Sequence, residues 1–247
     1  MIPDSFVWIF WASAFLVAWL ALYAVFPRHR QVMWWAGLFT LPFGLTEPLF
    51  VPKYWDPPSL FGLAQRTGFD IESFIFCFAI GGIAAVLYNI LLRRQTQPML
   101  TRERRLPLHR HHYLELSAPF IVFAILVFLP WNPIYPGILS MFAGALATML
   151  CRPDIKGKIW VGGALFVVFY TVFLQGLRLT APGYIERVWN LKEMLGIEVF
   201  GMPVEELLFA AGFGMYWSGV YEHFTWRFSH PIRQGDSAAK GNGTTTD

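Results

Sequence analysis

The sequence predicts an all-α integral membrane protein with seven transmembrane helices, arranged as two parallel three-helix repeats joined by one extra helix. Of the 247 residues 55% are hydrophobic and 14% charged, and the mean hydropathy is +0.46. A soluble domain of this size does not need so apolar a composition. Residues 6–26, 73–92 and 159–177 contain no charged side chain, and each run can cross a hydrocarbon core of roughly 30 Å as a helix.

Four further apolar stretches complete the set of seven spans. In chain order the spans are placed at residues 6–26, 32–50, 71–92, 114–130, 134–151, 159–179 and 203–224. Each should be a helix, because lipid offers the backbone no hydrogen-bond partner and the runs lack the alternating pattern of barrel strands. No strand is predicted.

The distribution of positive charge predicts the orientation. If the spans alternate in direction, fourteen of the 19 lysines and arginines lie on one side. The other side holds Lys53, Arg66, Arg178, Arg187 and Lys192. Positive side chains are enriched in cytoplasmic loops, so we expect a multi-pass cell-membrane protein with the N-terminus outside and the C-terminus cytoplasmic. Membrane lipids are the expected partners of this charge, and nucleic acid is not.

A motif occurs twice in the chain. The first copy comprises Leu45-Thr46-Glu47-Pro48, Trp55-Asp56 and residues 71–76, and the second comprises Leu179-Thr180-Ala181-Pro182, Trp189-Asn190 and residues 204–209. The proline-to-tryptophan spacing is the same in both copies. Three spans alone would invert the second copy, and the extra span restores its direction, so the units are parallel and related by an axis along the membrane normal.

The repeat divides the chain into four parts. Residues 1–92 are the first three-span unit, and residues 93–133 are a basic cytoplasmic loop with linking span 4. Residues 134–228 are the second three-span unit. Residues 229–247 are predicted to be a disordered cytoplasmic tail, because the sequence there is rich in Gly, Ser, Ala and Thr.

The duplicated unit places one carboxylate in each copy, Glu72 and Glu205, at an equivalent depth. An ionisable group inside a membrane usually has a function. The alternative is local: acids near a helix N-terminus are stabilised by free amides and the helix dipole, and Pro203 suits the first turn. Glu206 lies about 100° around the helix from Glu205.

Other polar side chains allow two interpretations each. Arg178 either pairs with Glu205 or Glu206 or extends to the interface. Trp55 and Trp189 are either interfacial anchors or parts of an aromatic wall that stabilises a cation. We expect the histidines at positions 109, 111 and 112 to contact lipid headgroups rather than metal, with Glu115 as a partner of this loop. Cys77 and Cys151 form neither a disulfide nor a metal-type pair.

Several functional classes lack their signatures. A membrane prenyltransferase needs paired aspartate-rich motifs for magnesium, and no two of the six aspartates lie within one helical turn. A retinal pump needs a lysine in its last span, which residues 203–224 lack. What remains is an apolar, aromatic cavity with carboxylic acids, suited to adding a proton to a hydrophobic substrate and removing one.

The segment Met202-Pro203-Val204-Glu205-Glu206-Leu207-Leu208-Phe209 resembles the signature of the lycopene cyclase domain, a small membrane-embedded carotenoid cyclase of tandem or heterodimeric type. The resemblance covers residues 6–92 and 134–226. The first copy departs from the signature, because Asp70 stands in place of the proline and Ser73 in place of the second glutamate.

The resemblance implies a lycopene β-cyclase-type isomerase that needs no cofactor and no metal. Glu205 would be the principal acid, and Glu206 or Glu72 the base or second acid. Trp55, Trp189, Tyr184, Pro203 and Arg178 would bind the substrate, lycopene or a related acyclic carotenoid. Other carotenoid-biosynthesis enzymes are the expected protein partners. Two alternatives stay open: a carotenoid hydratase or other end-group enzyme, and a non-enzymatic carotenoid-binding membrane subunit.

Overall fold

A computed structural model describes residues 2–232. The described chain is largely helical. Its helices and strands, numbered in chain order, are α1 (Asp4–Val25), α2 (Arg30–Thr40), α3 (Glu47–Phe50), α4 (Leu63–Thr67), α5 (Ile71–Leu91), β1 (Arg94–Pro98), α6 (Thr101–Arg104), α7 (His112–Leu126), α8 (Ile134–Cys151), α9 (Lys156–Thr180), α10 (Tyr184–Val188), β2 (Glu198–Val199), β3 (Met202–Pro203), α11 (Val204–Thr225) and β4 (Arg227–Pro231). Short 3-10 turns connect several of them.

Four helical segments in residues 2–232 are long and apolar enough to cross a membrane: Asp4–Val25, Ile71–Leu91, Ile134–Cys151 and Pro153–Thr180. The structure thus agrees with the all-α membrane class but gives fewer such helices than the seven predicted. The other three predicted spans are helical with departures. Helix α2 ends at Thr40 and continues as a 3-10 segment, α7 is 15 residues long and contains Pro119, and α11 is 22 residues long but carries acidic side chains.

The long helices form two similarly packed groups. In the first group α5 packs against α1 and α2, and in the second α11 packs against α8 and α9. Helices α5 and α11 contact each other between the groups, and α7 packs on α8. The two-fold relation between the units stays a prediction, and this packing is what such a relation would produce.

The tryptophans of the two motif copies meet in an antiparallel bridge. Trp55 pairs with Trp189. The amide of Asp56 donates to the carbonyl of Val188 at 2.8 Å, and the amide of Asn190 donates to that of Tyr54 at 2.9 Å. An antiparallel pair is symmetric about a local two-fold axis, so equivalent residues can meet here.

Two small antiparallel ribbons correct the prediction that the chain has no strands. Strand β1 pairs with β4, from Arg94 opposite Pro231 to Pro98 opposite Arg227, and β2 pairs with β3. Residues 229–231 of the predicted tail therefore form part of a strand, while residues 233–247 lie outside the described chain. The first ribbon joins the segments that follow α5 and α11. Its strands are too far apart in sequence for any local pattern to reveal the pairing.

Glycine allows α9 and α11 to approach each other closely. A Cβ added at Gly214 would lie 2.5 Å from the Cβ of Phe166 and 3.1 Å from the Cα of Gly163. Small residues permit such backbone contact between membrane helices. The packing of the second unit therefore depends on the absence of a side chain at position 214.

We expect Gly214→Ala to destabilise the protein by about 1–3 kcal/mol, because an extra methyl group overpacks a closed interface. Thermal unfolding in detergent measures this loss. Gly157→Ala is the matched control, since a Cβ at Gly157 meets nothing within 4 Å. Equal midpoints for the two variants would show that the α9–α11 contact is looser than the structure indicates.

Candidate active site

A cavity of about 410 Å³ lies between the two helix groups, within the range of roughly 300 to 1,000 Å³ that small-molecule sites occupy. Aromatic side chains dominate its wall. They come from both halves and include Trp8, Phe43, Phe50, Tyr54, Trp55, Phe76, Phe120, Phe123, Tyr170, Phe173, Trp189, Phe209, Phe213, Tyr216 and Trp217. Two carboxyl groups line the cavity, Glu47 and Glu206.

Glu206 is held by three hydrogen-bond donors. Its side chain is 3% exposed. Tyr54 donates its hydroxyl to Oε1, Trp189 donates its indole N–H to the same oxygen at 2.6 Å, and Tyr170 donates to Oε2 at 2.8 Å. Tyr54 belongs to the first unit and the other two donors to the second. Both carboxylate oxygens therefore accept hydrogen bonds, an arrangement that complements an ionised carboxylate.

Glu47 begins the short helix α3, after a 3-10 segment that ends at Thr46. It is 6% exposed, and Ser73 donates its hydroxyl to Oε2 at 2.8 Å. Among the described residues Oε1 is buried without a hydrogen-bond partner. Glu47 therefore has a free oxygen and a single donor, in contrast to Glu206.

Glu47 was not among the residues selected from the sequence. The signal was present, because Glu47 is the one charge in the apolar stretch 32–50 and part of the repeated motif. The equivalent position in the second copy is Ala181, so the repeat does not place an acid there in both halves. The two carboxyl groups of the cavity come from different positions of the repeated motif.

The two motif copies each supply one cavity carboxyl group, at exchanged positions. Glu47 corresponds to Ala181 in the second copy, and Ser73 corresponds to Glu206. In the first half the acid occupies the earlier position and a hydroxyl the later one. In the second half alanine occupies the earlier position and the acid the later one. Where Ser73 replaces the second glutamate of the signature, the carboxyl group of Glu47 thus lies beside it.

Glu72 and Glu205 are buried beside the cavity rather than among the residues that line it. Oε1 of Glu72 accepts the backbone N–H of Leu60 at 2.7 Å. Oε1 of Glu205 accepts the backbone N–H of Leu195 and the hydroxyl of Tyr135, both at 2.8 Å. Each acid thus fastens the loop that precedes its own helix. This geometry favours the local interpretation of the repeated glutamate, and a catalytic role for either residue stays a prediction.

The helical twist explains why adjacent acids differ. Both Glu205 and Glu206 lie in the first turn of α11, and consecutive side chains on a helix point about 100° apart. Glu205 therefore faces the loop around Leu195 while Glu206 faces the cavity.

The residues expected to bind substrate separate into two sets. Trp55 and Trp189 line the cavity, with ring centroids 5.4 Å apart. Tyr184 is buried with its ring edge-on to Trp189 at 6.3 Å, and Pro203 is the buried residue before α11. Neither of these two is among the cavity-lining residues.

Arg178 does not pair with the glutamates. Its guanidinium donates to the carbonyl of Phe200 at 2.5 Å and to the amide oxygen of Gln175 at 3.2 Å. The backbone of Gly201, which has a φ of 71°, lies against the same guanidinium. Of the two interpretations of Arg178, the ion pair is therefore not observed, because Arg178 holds the turn between β2 and β3 instead.

The cavity wall brings several indole rings together. Trp8 meets Trp55 edge to face at 4.7 Å, and Phe213 stacks on Trp217 at 4.8 Å. The faces of aromatic rings carry negative potential and attract cations. The cavity is thus largely apolar, and its aromatic rings can stabilise a cation that forms no hydrogen bonds.

Fold and site together define a class: a helical protein of membrane type in which an aromatic cavity receives one buried carboxyl group from each half of the chain. The family model described as lycopene cyclase matches residues 132–224. This match supports, over the second half of the chain, the resemblance noted in the sequence. The matched segment includes Glu206. No curated protein and no solved structure matches the chain.

Proposed function

We propose that the protein is a lycopene cyclase that closes a β-ionone ring at the ψ end of lycopene by acid and base catalysis. The observation that carries the proposal is the pair of buried carboxyl groups, Glu47 and Glu206, on one aromatic cavity. The lycopene cyclase domain over residues 132–224 supports the substrate class.

Glu47 is assigned as the proton donor. A carboxylic acid that protonates a double bond must itself be protonated, and burial disfavours the charged form. The one donor to Glu47 is Ser73, and Oε1 is free to carry the proton.

Glu206 is assigned as the base that receives the ring proton. Three hydrogen-bond donors favour its ionised form, and a negative charge beside the cavity would also stabilise a carbocation. Tyr54 of the first unit donates a hydrogen bond to this carboxylate, so the unit that carries Glu47 also helps to position Glu206. Their different hydrogen-bond surroundings separate the two roles.

The reaction is balanced without a cofactor. Glu47 adds a proton to the terminal double bond, which leaves a tertiary carbocation. The neighbouring double bond attacks this carbon and forms a six-membered ring with a new tertiary cation. Glu206 removes a ring proton, and its electron pair forms the ring double bond. One proton enters and one leaves, so the product is an isomer of the substrate, and a proton exchange through solvent restores Glu47.

The cavity also offers an approach for a substrate dissolved in lipid. Phe120 of α7 lines the cavity and is 46% exposed, so the wall reaches the surface between α7 and the 3-10 segment that follows α2. Phe43 stacks on Phe120 with centroids 6.3 Å apart. We assign this apolar edge as the entrance for the substrate. We also propose that the chain crosses the membrane seven times, with the N-terminus outside and the C-terminus cytoplasmic.

The proposal predicts that expression in a lycopene-accumulating bacterium yields γ- or β-carotene, identified by chromatography and mass spectrometry. The doubly substituted variant Glu47→Gln/Glu206→Gln, present at equal amount in the membrane, serves as the inactive control and should leave lycopene unchanged. A product with a tertiary hydroxyl group would indicate a hydratase instead. Unchanged lycopene that copurifies with the wild-type protein would contradict the enzyme and indicate a carotenoid-binding subunit.

A further inference from the structure

Away from the cavity, three buried side chains converge at the other end of α11. One ligand atom each from His112, Cys151 and His223 lies within 4.8 Å of the others. The Nδ1 atom of His112 is 3.3 Å from the Cys151 sulfur, and Nδ1 of His109 is 3.5 Å from the same sulfur. The three residues come from the start of α7, the end of α8 and the last turn of α11.

His223 has one buried ring nitrogen that no hydrogen bond within residues 2–232 uses. Its side chain is 1% exposed, and Nε2 has no hydrogen-bond partner among the described residues. The other ring nitrogen, Nδ1, lies 3.2 Å from the hydroxyl of Thr148. A metal-binding histidine usually has its second nitrogen bonded in this way, which orients the ring and leaves the first nitrogen free to bind.

The distances suit a tetrahedral metal ion. Zinc bonds of about 2.3 Å to sulfur and about 2.0 Å to nitrogen, at tetrahedral angles, place the two ligand atoms about 3.5 Å apart. The separation of 3.3 Å between Nδ1 of His112 and the Cys151 sulfur is close to this value, and Nδ1 of His109 lies 3.5 Å from the same sulfur. The fourth position is left for water or for His109.

The surrounding charges are compatible with a cation. Arg152 lies nearby, but Asp154 accepts two of its N–H groups at 2.8 and 2.7 Å. The carboxylate of Glu115 neighbours Cys151 and has one buried oxygen without a partner. Trp226 stacks on His112 at 3.8 Å and covers the cluster. A thiolate and a nearby carboxylate together offset most of a divalent charge.

We propose that His112, Cys151 and His223 bind a zinc-type transition-metal ion that fastens the adjacent ends of α7, α8 and α11. Two imidazoles and one thiolate are ligands that zinc prefers. The ligands are separated by dozens of residues, which is why the sequence suggested a headgroup contact for His112. A cluster held only by S–H to nitrogen hydrogen bonds is the competing explanation.

Metal analysis tests the site directly. Wild-type protein purified in detergent, with an affinity tag free of histidine, should contain about one zinc ion per chain. Cys151→Ala and His223→Gln should reduce the content to background. His111→Asn is the matched control, because His111 is the exposed neighbour of His112 and should leave the zinc content unchanged. Equal zinc in all four proteins would reduce the finding to adventitious binding and overturn the proposal.

A cobalt titration decides the question even where ligand variants fail to fold. In a Cys77→Ala background Cys151 is the one remaining cysteine, so a thiolate-to-cobalt charge-transfer band must arise from it. We expect that band to saturate at about one equivalent of Co²⁺, and we expect Thr148→Val to weaken binding about 10- to 100-fold. Absence of the band in folded protein would overturn the proposal. Neither readout depends on carotenoid turnover.

Discussion

Glu206→Gln should lower the rate of ring formation by about 100- to 10,000-fold, the usual contribution of a positioned acid or base. Glutamine keeps the size of the side chain and one acceptor oxygen, so Tyr54, Trp189 or Tyr170 can still donate to position 206. It removes the negative charge and the capacity to accept a ring proton. The rate is measured as cyclic product formed from lycopene in isolated membranes, per amount of folded protein.

Glu205→Gln is the matched control for this experiment. The glutamine oxygen can still accept the N–H of Leu195 and the hydroxyl of Tyr135, which are the two contacts of Oε1 in Glu205, so activity should stay within a few-fold of wild type. The sequence alone predicts the opposite order, with Glu205 as the principal acid. A severe loss in Glu205→Gln together with an active Glu206→Gln would contradict our assignment and restore that prediction.

Part of the site could be predicted from the sequence because its residues lie in one short motif. Glu206 follows Glu205 in a signature that is visible without a structure, and Trp55 and Trp189 recur at a fixed distance from a proline. The choice between Glu205 and Glu206 could not be made, since it depends on which side of α11 faces the loop around Leu195. Glu47 was missed for a similar reason. Its importance follows from a contact with Ser73, 26 residues later in the chain.

The fold shows the same division between local and long-range information. The predicted span 134–151 coincides with α8, and the span 71–92 differs from α5 by one residue, because uninterrupted apolar runs with clear ends determine both. The predicted span 32–50 becomes α2, a 3-10 segment and α3, where Pro42 and Gly44 interrupt the regular helix. The β1–β4 ribbon was invisible because its pairing is entirely long range.

Helix α11 connects the two proposed sites. Glu206 lies in its first turn and His223 in its last, 17 residues apart and so about 25 Å along the helix. A metal ion at His223 would fix the far end of the helix that carries the cavity base. The zinc site is then a structural element of the second unit, and its loss should affect the stability of the protein before it affects the chemistry.

Glu47→Gln should abolish cyclisation to a similar extent as Glu206→Gln, about 100- to 10,000-fold, but for a different reason. The variant retains the acceptor for Ser73 and loses the proton that starts the reaction. Glu72→Gln is the matched control, because its amide oxygen can still hold the N–H of Leu60, and it should remain active. An active Glu47→Gln variant would remove Glu47 from the acid role.

Assays in D₂O separate the two carboxyl groups. If Glu47 donates the first proton, Glu206→Gln can still protonate the terminal double bond and then lose a proton from the same end, so recovered lycopene should gain deuterium without forming a ring. Glu47→Gln should show neither ring nor deuterium, because no cation forms. Deuterium in lycopene recovered from Glu47→Gln, and none from Glu206→Gln, would reverse the two assignments. Each unit would then still contribute one carboxyl group, with the acid in the segment that matches the lycopene cyclase model and the base in the first half of the chain.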